Sequence, residues 1–254
     1  MNSDFSGARC QSGQRGSALV YILIAIALLA ALTVSFMDNS GSQVTSQNVH
    51  QNVSEIQSQA EFIRSNIQEC VLVYSKGDAG ALASASPVPA EPQVNHPYPL
   101  RPTNDYFDNC DLGGFADGGA ADNDQVQYLR CPGRPGDDPC HGRMFGGMTG
   151  KFLPPVPALF EPWEYYAGED GIFIWLHTTR TDAFLDAVFD RFEEGYSTCE
   201  VDIIRADASS VAMNSDDDDF TVSCPVNARC MRVWMRQRAS AVFPAQSSKE
   251  GDCP

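Results

Sequence analysis

The chain has 254 residues, 43% of them hydrophobic, and a formal net charge of −16. That length and apolar content suit a folded domain with its own core and argue against disorder along the whole chain. The acidic balance, with no Lys/Arg-rich block to offset it, excludes a basic phosphate-tracking surface and with it nucleic acid as a partner.

Arg15-Gly16-Ser17-Ala18-Leu19-Val20 opens onto an apolar run that ends at Asp38, and Ser17 to Met37 carries no charge. As a helix rising ~1.5 Å per residue, the run reaches about 31 Å, enough for a hydrocarbon core of about 30 Å. The sequence therefore predicts a single-pass membrane anchor. Arg9 and Arg15 precede the run, so the positive-inside bias places the first residues in the cytoplasm and the acidic bulk outside. A secretory signal peptide has an apolar core of about 7–15 residues followed by its cleavage site, whereas here the small residue Gly16 comes first. A cut after Gly16 leaves the helix on the mature chain.

A short polar leader with a basic residue, then Gly16, then Ser-Ala-Leu-Val and a long apolar helix resembles the type IV prepilin family, including the pseudopilins of type II secretion. The resemblance implies that a prepilin peptidase processes the chain at Arg15, Gly16 and Ser17 and methylates the new amine of Ser17. It also implies a single-pass place in a bacterial inner membrane with the head in the periplasm or on an extracellular filament, and packing of the helix against other pilins or pseudopilins. Most members carry Glu as the fifth residue after the Gly, where it pairs with a neighbour's terminal ammonium; here Tyr21 stands in that place. Within the family the missing Glu goes with minor subunits, notably the K-type pseudopilin at the filament tip. The resulting expectation is a non-enzymatic minor pilin-like subunit of a type IV pilus or type II secretion pseudopilus. The alternative is a receptor, adhesin or enzyme of the envelope on an uncleaved signal anchor.

Asp38-Asn39-Ser40-Gly41-Ser42 favours caps and turns and interrupts the helical pattern. Afterwards Val49, Val53, Ile56, Ala60, Ile63, Ile67, Cys70 and Tyr74 recur alternately four and three apart, one apolar seam on a polar helix. Flanking charges are few, so the e/g pairing of a coiled coil is largely missing and packing on the chain's own head is favoured. Val71-Leu72-Val73 reads as a helix end enclosed by that head, and Lys76-Gly77 as its stop. Residues 77–162 are loop-rich, with one short strand expected at Val126–Leu129.

From Trp163 a folded head is expected. Trp163–Tyr166 and Ile172–Leu176 flank Gly168-Glu169-Asp170-Gly171 as a β-hairpin. A helix capped by Thr181 presents Phe184, Leu185, Val188 and Phe192, and strands follow at Ser197–Arg205, Phe220–Cys224 and Met231–Gln237. The expected fold class is α+β: a long N-terminal membrane-spanning helix packed on an antiparallel β-sheet head with long disulfide-tied loops. Its divisions are a leader 1–16, a transmembrane part 17–37, an amphipathic part 38–76, a loop-rich region 77–162 and the head 163–254.

Of the nine cysteines, Cys10 lies in the leader, and Cys70, Cys110, Cys131, Cys140, Cys199, Cys224, Cys230 and Cys253 remain. An even number on the outward side of a membrane reads as a disulfide framework; Cys131–Cys140 and Cys224–Cys230 are the natural local pairs, although spacing does not fix the connectivity. No CxxC argues for zinc. The four histidines, His50, His96, His141 and His177, fall in no catalytic motif. Asp137 spoils a haem-attachment pattern before Cys140-His141, and Cys230 stands where a phosphatase loop starting at Cys224 needs Arg. Glu193-Glu194 reads as a solvated pair at a helix end, and Trp163, Tyr165, Tyr166, Phe173 and Trp175 read as core rather than a carbohydrate platform. Arg232, Arg236 and Arg238 read as arginines on the solvated side of a strand. No cofactor is expected; calcium is the one ligand to carry, in the acidic loops Asp111–Asp124 and Asp216–Asp219, with a solvated loop as the commoner use of such residues.

Overall fold

The structure is a computed structural model that describes residues 15–75, 77, 98–99, 124–134, 142–146, 149–168, 170–197, 199–215, 221–238, 241, 243–249 and 253. The chain divides into two units, Met1–Asn48 and Val49–Pro254. The helix α1 (Arg15–Val73) supplies residues to both and runs unbroken through Asp38–Ser42, where an interruption is expected from sequence. Asp, Asn, Ser and Gly each cost at most about 1 kcal/mol in a helix interior, a bias that a long helix absorbs.

The expectation of a membrane-spanning segment is overturned: among the described residues no helix is long and apolar enough to cross a membrane. The side chains described there, from Leu19 to Ala31, cover about 20 Å of helix at ~1.5 Å per residue, against a hydrocarbon core of about 30 Å. The α+β class and the antiparallel sheet do form.

In the second unit, a 3-10 turn at Val126–Tyr128 replaces the strand expected at Val126–Leu129. Val126 and Leu129 are three apart and both fully buried, a spacing that turns two side chains to one side, as a strand would not. The pair β1 (Arg130–Cys131) and β2 (Gly142–Arg143) follows. The hairpin of β3 (Glu164–Gly168) and β4 (Gly171–Thr178) forms as expected, closing at Gly168↔Gly171. Gly171 is obligatory: its φ is +134°, and an added Cβ would lie 2.1 Å from the Arg236 carbonyl oxygen. Helix α2 (Ala183–Glu193) begins after Asp182 rather than Thr181 and adds Phe189 to its buried face, while Phe184 is only half-buried. Next come β5 (Val201–Ala206), the short pair β6 (Val211–Ala212) and β7 (Ser223–Cys224), and β8 (Ala228–Gln237).

The main sheet is antiparallel in the order β3-β4-β8-β5, with a bulge between Ile172 and Phe173. Side chains alternate along each strand, so the two faces bury different sets. Ile174 and Leu176 of β4, Val201 and Ile203 of β5, and Met231 and Val233 of β8 lie in one core with the α1 seam and with Leu185, Val188, Phe189 and Phe192 of α2. Val49, Val53, Ile56, Ala60, Ile63, Ile67 and Cys70 are all buried there, which settles the seam's partner as the chain's own head. Full burial of an Ile contributes about 1.5–3 kcal/mol, so the three central isoleucines alone give this packing a strong drive. Leu72 and Val73, expected to be enclosed, are 79% and 61% exposed: only the seam side of the last turn meets the head. The opposite sheet face, with Phe173, Trp175, Cys230 and Trp234, is covered by Val211, Met213, Val222 and Cys224 and by Phe243 near the C-terminus.

Candidate functional site

In the N-terminal unit, Arg15, Gly16 and Ser17 are the first three residues of α1. Beyond them Leu19, Val20, Tyr21, Ile22, Leu23, Ile24, Ile26, Leu28 and Leu29 are each at least half exposed, with Tyr21 at 71%. Consecutive residues point in every direction around a helix, so this apolar surface has no polar side. A helix left in water seldom carries an apolar surface of this extent on every side.

In the second unit the amphipathic half of α1 is fastened to the head at three levels. Gln59 accepts from the Trp163 indole N–H at 3.0 Å and donates to the Pro155 carbonyl at 2.9 Å. One turn on, the Arg64 guanidinium meets Glu200 at 2.5 Å and Glu61 at 3.4 Å, and lies 5.6 Å from the Tyr196 ring centroid. Burial pushes the Glu200 carboxyl up, but hydrogen bonds from Ser197 and the Arg64 charge more than offset it, and the group lies below its ordinary range. The third level is the Cys70–Cys131 disulfide, with Cα atoms 5.8 Å apart. It borders a cleft lined by Asn66, Glu69, Arg134, Met144 and Lys151, in which Lys151 pairs with Glu69. The local guess Cys131–Cys140 is thereby corrected: β1 itself places Cys131 against the last turn of α1, a contact across the fold that spacing does not encode. Cys224–Cys230 forms as expected, and Cys199 joins Cys253. Cys110 and Cys140 lie outside the described residues.

A polar cluster sits on the far face of the sheet. Arg232 of β8 and Asp202 of β5 are paired in register and form an ion pair with both side chains fully buried. The guanidinium also donates to the Met213 carbonyl, and Ser247 donates to Asp202. Its Cζ lies 4.6 Å from the Trp234 ring centroid, 5.2 Å from Phe243 and 5.4 Å from Phe173. Burial lowers the guanidinium pKa, and Asp202 acts in the opposite direction. The sequence reading of Arg232 as a solvated arginine is therefore corrected, while Arg236 and Arg238 are exposed. The missed signal lay in the strand itself: Met231, Val233 and Trp234 are apolar on both sides of β8, which requires both faces to be covered. The cluster fastens β5, β8 and the C-terminal segment, with both charged side chains fully buried among the described residues.

The remaining sequence candidates do not converge. Trp163, Tyr165, Tyr166, Phe173 and Trp175 are buried and belong to the core. The Tyr165 hydroxyl donates to the Pro99 carbonyl at 2.7 Å, and burial, then the neighbouring Tyr98, raises its pKa well above the usual phenol range. Glu193 is held by Lys249 at 3.0 Å and by the Ser248 hydroxyl, and Glu194 is exposed just past α2. His177 stacks on Trp175 with centroids 5.3 Å apart; burial lowers its pKa, opposed by Glu161. His50 is exposed, and His96 and His141 lie outside the described residues. Of the acidic loops only Asp124 is described, its carbonyl accepting from the Tyr165 N–H at 2.9 Å. Among the described residues there is no cluster of three or more His, Cys, Asp or Glu side chains that could hold a metal. Comparison with protein-family models, with curated proteins and with solved structures gives no match.

Proposed function

We propose that the chain is a non-enzymatic minor subunit of a filament of the type IV pilus or type II secretion pseudopilus kind. The observation that carries this reading is the division of labour along α1. Its Leu19–Leu29 surface is apolar and exposed on every side, and its Val49–Cys70 seam is buried in an antiparallel-sheet head of the same chain. The first surface serves as the contact with equivalent helices of other subunits, and the second presents the head as a rigid body. Processing at Arg15, Gly16 and Ser17 by a prepilin peptidase and the minor rank implied by Tyr21 complete the proposal. Disulfides at Cys70–Cys131, Cys199–Cys253 and Cys224–Cys230 support an oxidising compartment for the head. The test is intact mass and N-terminal sequencing of the protein from its native envelope, with proteomics of sheared filaments. A mature chain that begins at Ser17 and is present at low copy beside a more abundant subunit is expected. An intact Met1, or this chain as the dominant subunit, overturns the reading.

A further inference from the structure

The C-terminal segment lies along the outer edge of β5 as a strap. Arg205 N–H donates to the Gln246 carbonyl at 3.2 Å and Ser248 N–H to the Ile203 carbonyl at 2.8 Å, with Ile204 and Ser247 as bridge partners. Ser248 Oγ also accepts from the Ile203 N–H at 3.1 Å. Ser247 reaches Asp202, Phe243 rests against Arg232, and Lys249 pairs with Glu193. An edge strand left bare offers its N–H and C=O groups to any added strand, and this strap occupies them. The far end is tied by Cys199–Cys253, 54 residues apart in sequence.

The three described disulfides differ in access. Cys70 and Cys131 are 5% and 2% exposed, and Cys224 and Cys230 are fully buried. Cys199 and Cys253 are half-buried, at a turn and in the tail. Cys199 also has φ +69°, a left-handed conformation that a residue with a Cβ adopts at a cost and that an open form is free to relax. Exchange requires a thiolate to reach a disulfide sulfur, so access sets the order of attack.

We infer that Cys199–Cys253 is a redox latch: of the three described disulfides a dithiol reductant opens it first, and opening releases the strap from β5 while the sheet stays folded. One donor thiolate attacks the Sγ of Cys253, and the Cys199 thiolate leaves and takes a proton. The second donor thiol then displaces Cys253 as a thiol, so the donor is oxidised to its own disulfide and two electrons reduce the latch. Without the covalent tie the tail regains its loop entropy, against hydrogen bonds and an ion pair that are partly open to water. Release bares the Ile203 and Arg205 edge and removes the Ser247 hydroxyl from Asp202. The rest of the sheet keeps its pairing because β5, β8, β4 and β3 are joined by their own registers.

The test uses the full-length protein with stepwise dithiothreitol, alkylation mapped by mass spectrometry, and hydrogen exchange on the same samples. Cys199 and Cys253 are expected to alkylate before Cys70, Cys131, Cys224 and Cys230. At that step the Ile203, Arg205 and Ser248 amides should exchange at least about tenfold faster, with Ile174 and Val233 unchanged. Cys253→Ser, without reductant, should show the same local pattern. Opening together with or after either buried disulfide overturns the inference, and so does full protection of the three amides once Cys199 and Cys253 are alkylated. Loss of protection throughout the sheet overturns it too, since the bond would then be a global staple.

Discussion

Replacing Arg232 by Met keeps the length of the side chain and removes its charge, which strands Asp202 in the sheet. Both partners are fully buried, and once the guanidinium is gone Asp202 still accepts from the Ser247 hydroxyl but has lost its counter-charge. Breaking one side of a buried pair costs about 3–5 kcal/mol because the surviving charge has neither water nor a counter-charge. Loss of the cation–π contact adds about 0.5–2 kcal/mol, and the orphaned Met213 carbonyl about 1–3 kcal/mol, partly overlapping with the first figure. A domain of total stability about 5–15 kcal/mol is then brought close to unfolding. Urea titration followed by tryptophan fluorescence reads the loss, with Trp234 as a reporter 4.6 Å from the guanidinium carbon. The denaturant slope should be unchanged if the native fold is kept. The informative partner is Asp202→Leu/Arg232→Met: it removes both charges but leaves the Met213 carbonyl unpaired, so it should lose only about 1–3 kcal/mol. A single Arg232→Met within about 1 kcal/mol of wild type would refute the reasoning, and so would a double variant as unstable as the sum of its singles.

Ile63→Ala empties the centre of the α1 seam, where the side chain is fully buried, and should cost about 2–5 kcal/mol in the same titration; a loss below 1 kcal/mol would mean that the head does not depend on the seam. Gly16→Val should block processing if the proposed cleavage is right, leaving a mass that begins at Met1, whereas an unchanged mature mass would end that part of the proposal. His177 should make stability pH-dependent. Burial holds its folded pKa below the ordinary 6.5, so the unfolded chain takes up the proton first, and stability, complete above that value, declines as the pH falls from it toward the folded pKa. His177→Asn should flatten that part of the decline, and identical slopes for variant and wild type from about pH 7 to 5 would count against the burial argument.

Periodicity carried the parts of the fold that repeat. The four-and-three spacing from Val49 to Cys70 and the paired apolar runs around Gly168–Gly171 place the seam and the hairpin, because each rests on a local geometric period. What the sequence did not disclose depends on contacts between distant residues. Cys131 pairs with Cys70 rather than with the nearer Cys140, and Arg232 is buried because Asp202, thirty positions away, waits opposite it on β5. The continuity of α1 through Asp38–Ser42 runs against the local capping signal, since capping preferences are small beside the cooperativity of a long helix. At Ser17–Met37 the composition suits a spanning segment, yet among the described residues no helix is long and apolar enough to cross a membrane.

On the proposed function, force along a filament would enter the head through α1, and the placing of its three fastenings then matters. Gln59, Arg64 and Cys70 follow one another at five and six residues along the helix, so the links to Trp163 and Pro155, to Glu200 and to Cys131 lie about 8–9 Å apart at ~1.5 Å per residue. Each reaches a different part of the head: the loop leading into β3, the turn leading into β5, and β1. Load shared among three separate attachments shears the seam as a whole rather than peeling it from one end. The covalent link sits at the far end, beside the exposed Leu72 and Val73, where a helix terminus would otherwise fray first. Cys70→Ser should therefore lower the unfolding force under single-molecule pulling through α1 more than Arg64→Met does. The exposed part of the Arg64 pairing is screened by water, whereas the disulfide is not. Equal unfolding forces for Cys70→Ser and wild type would show that the seam alone bears the load.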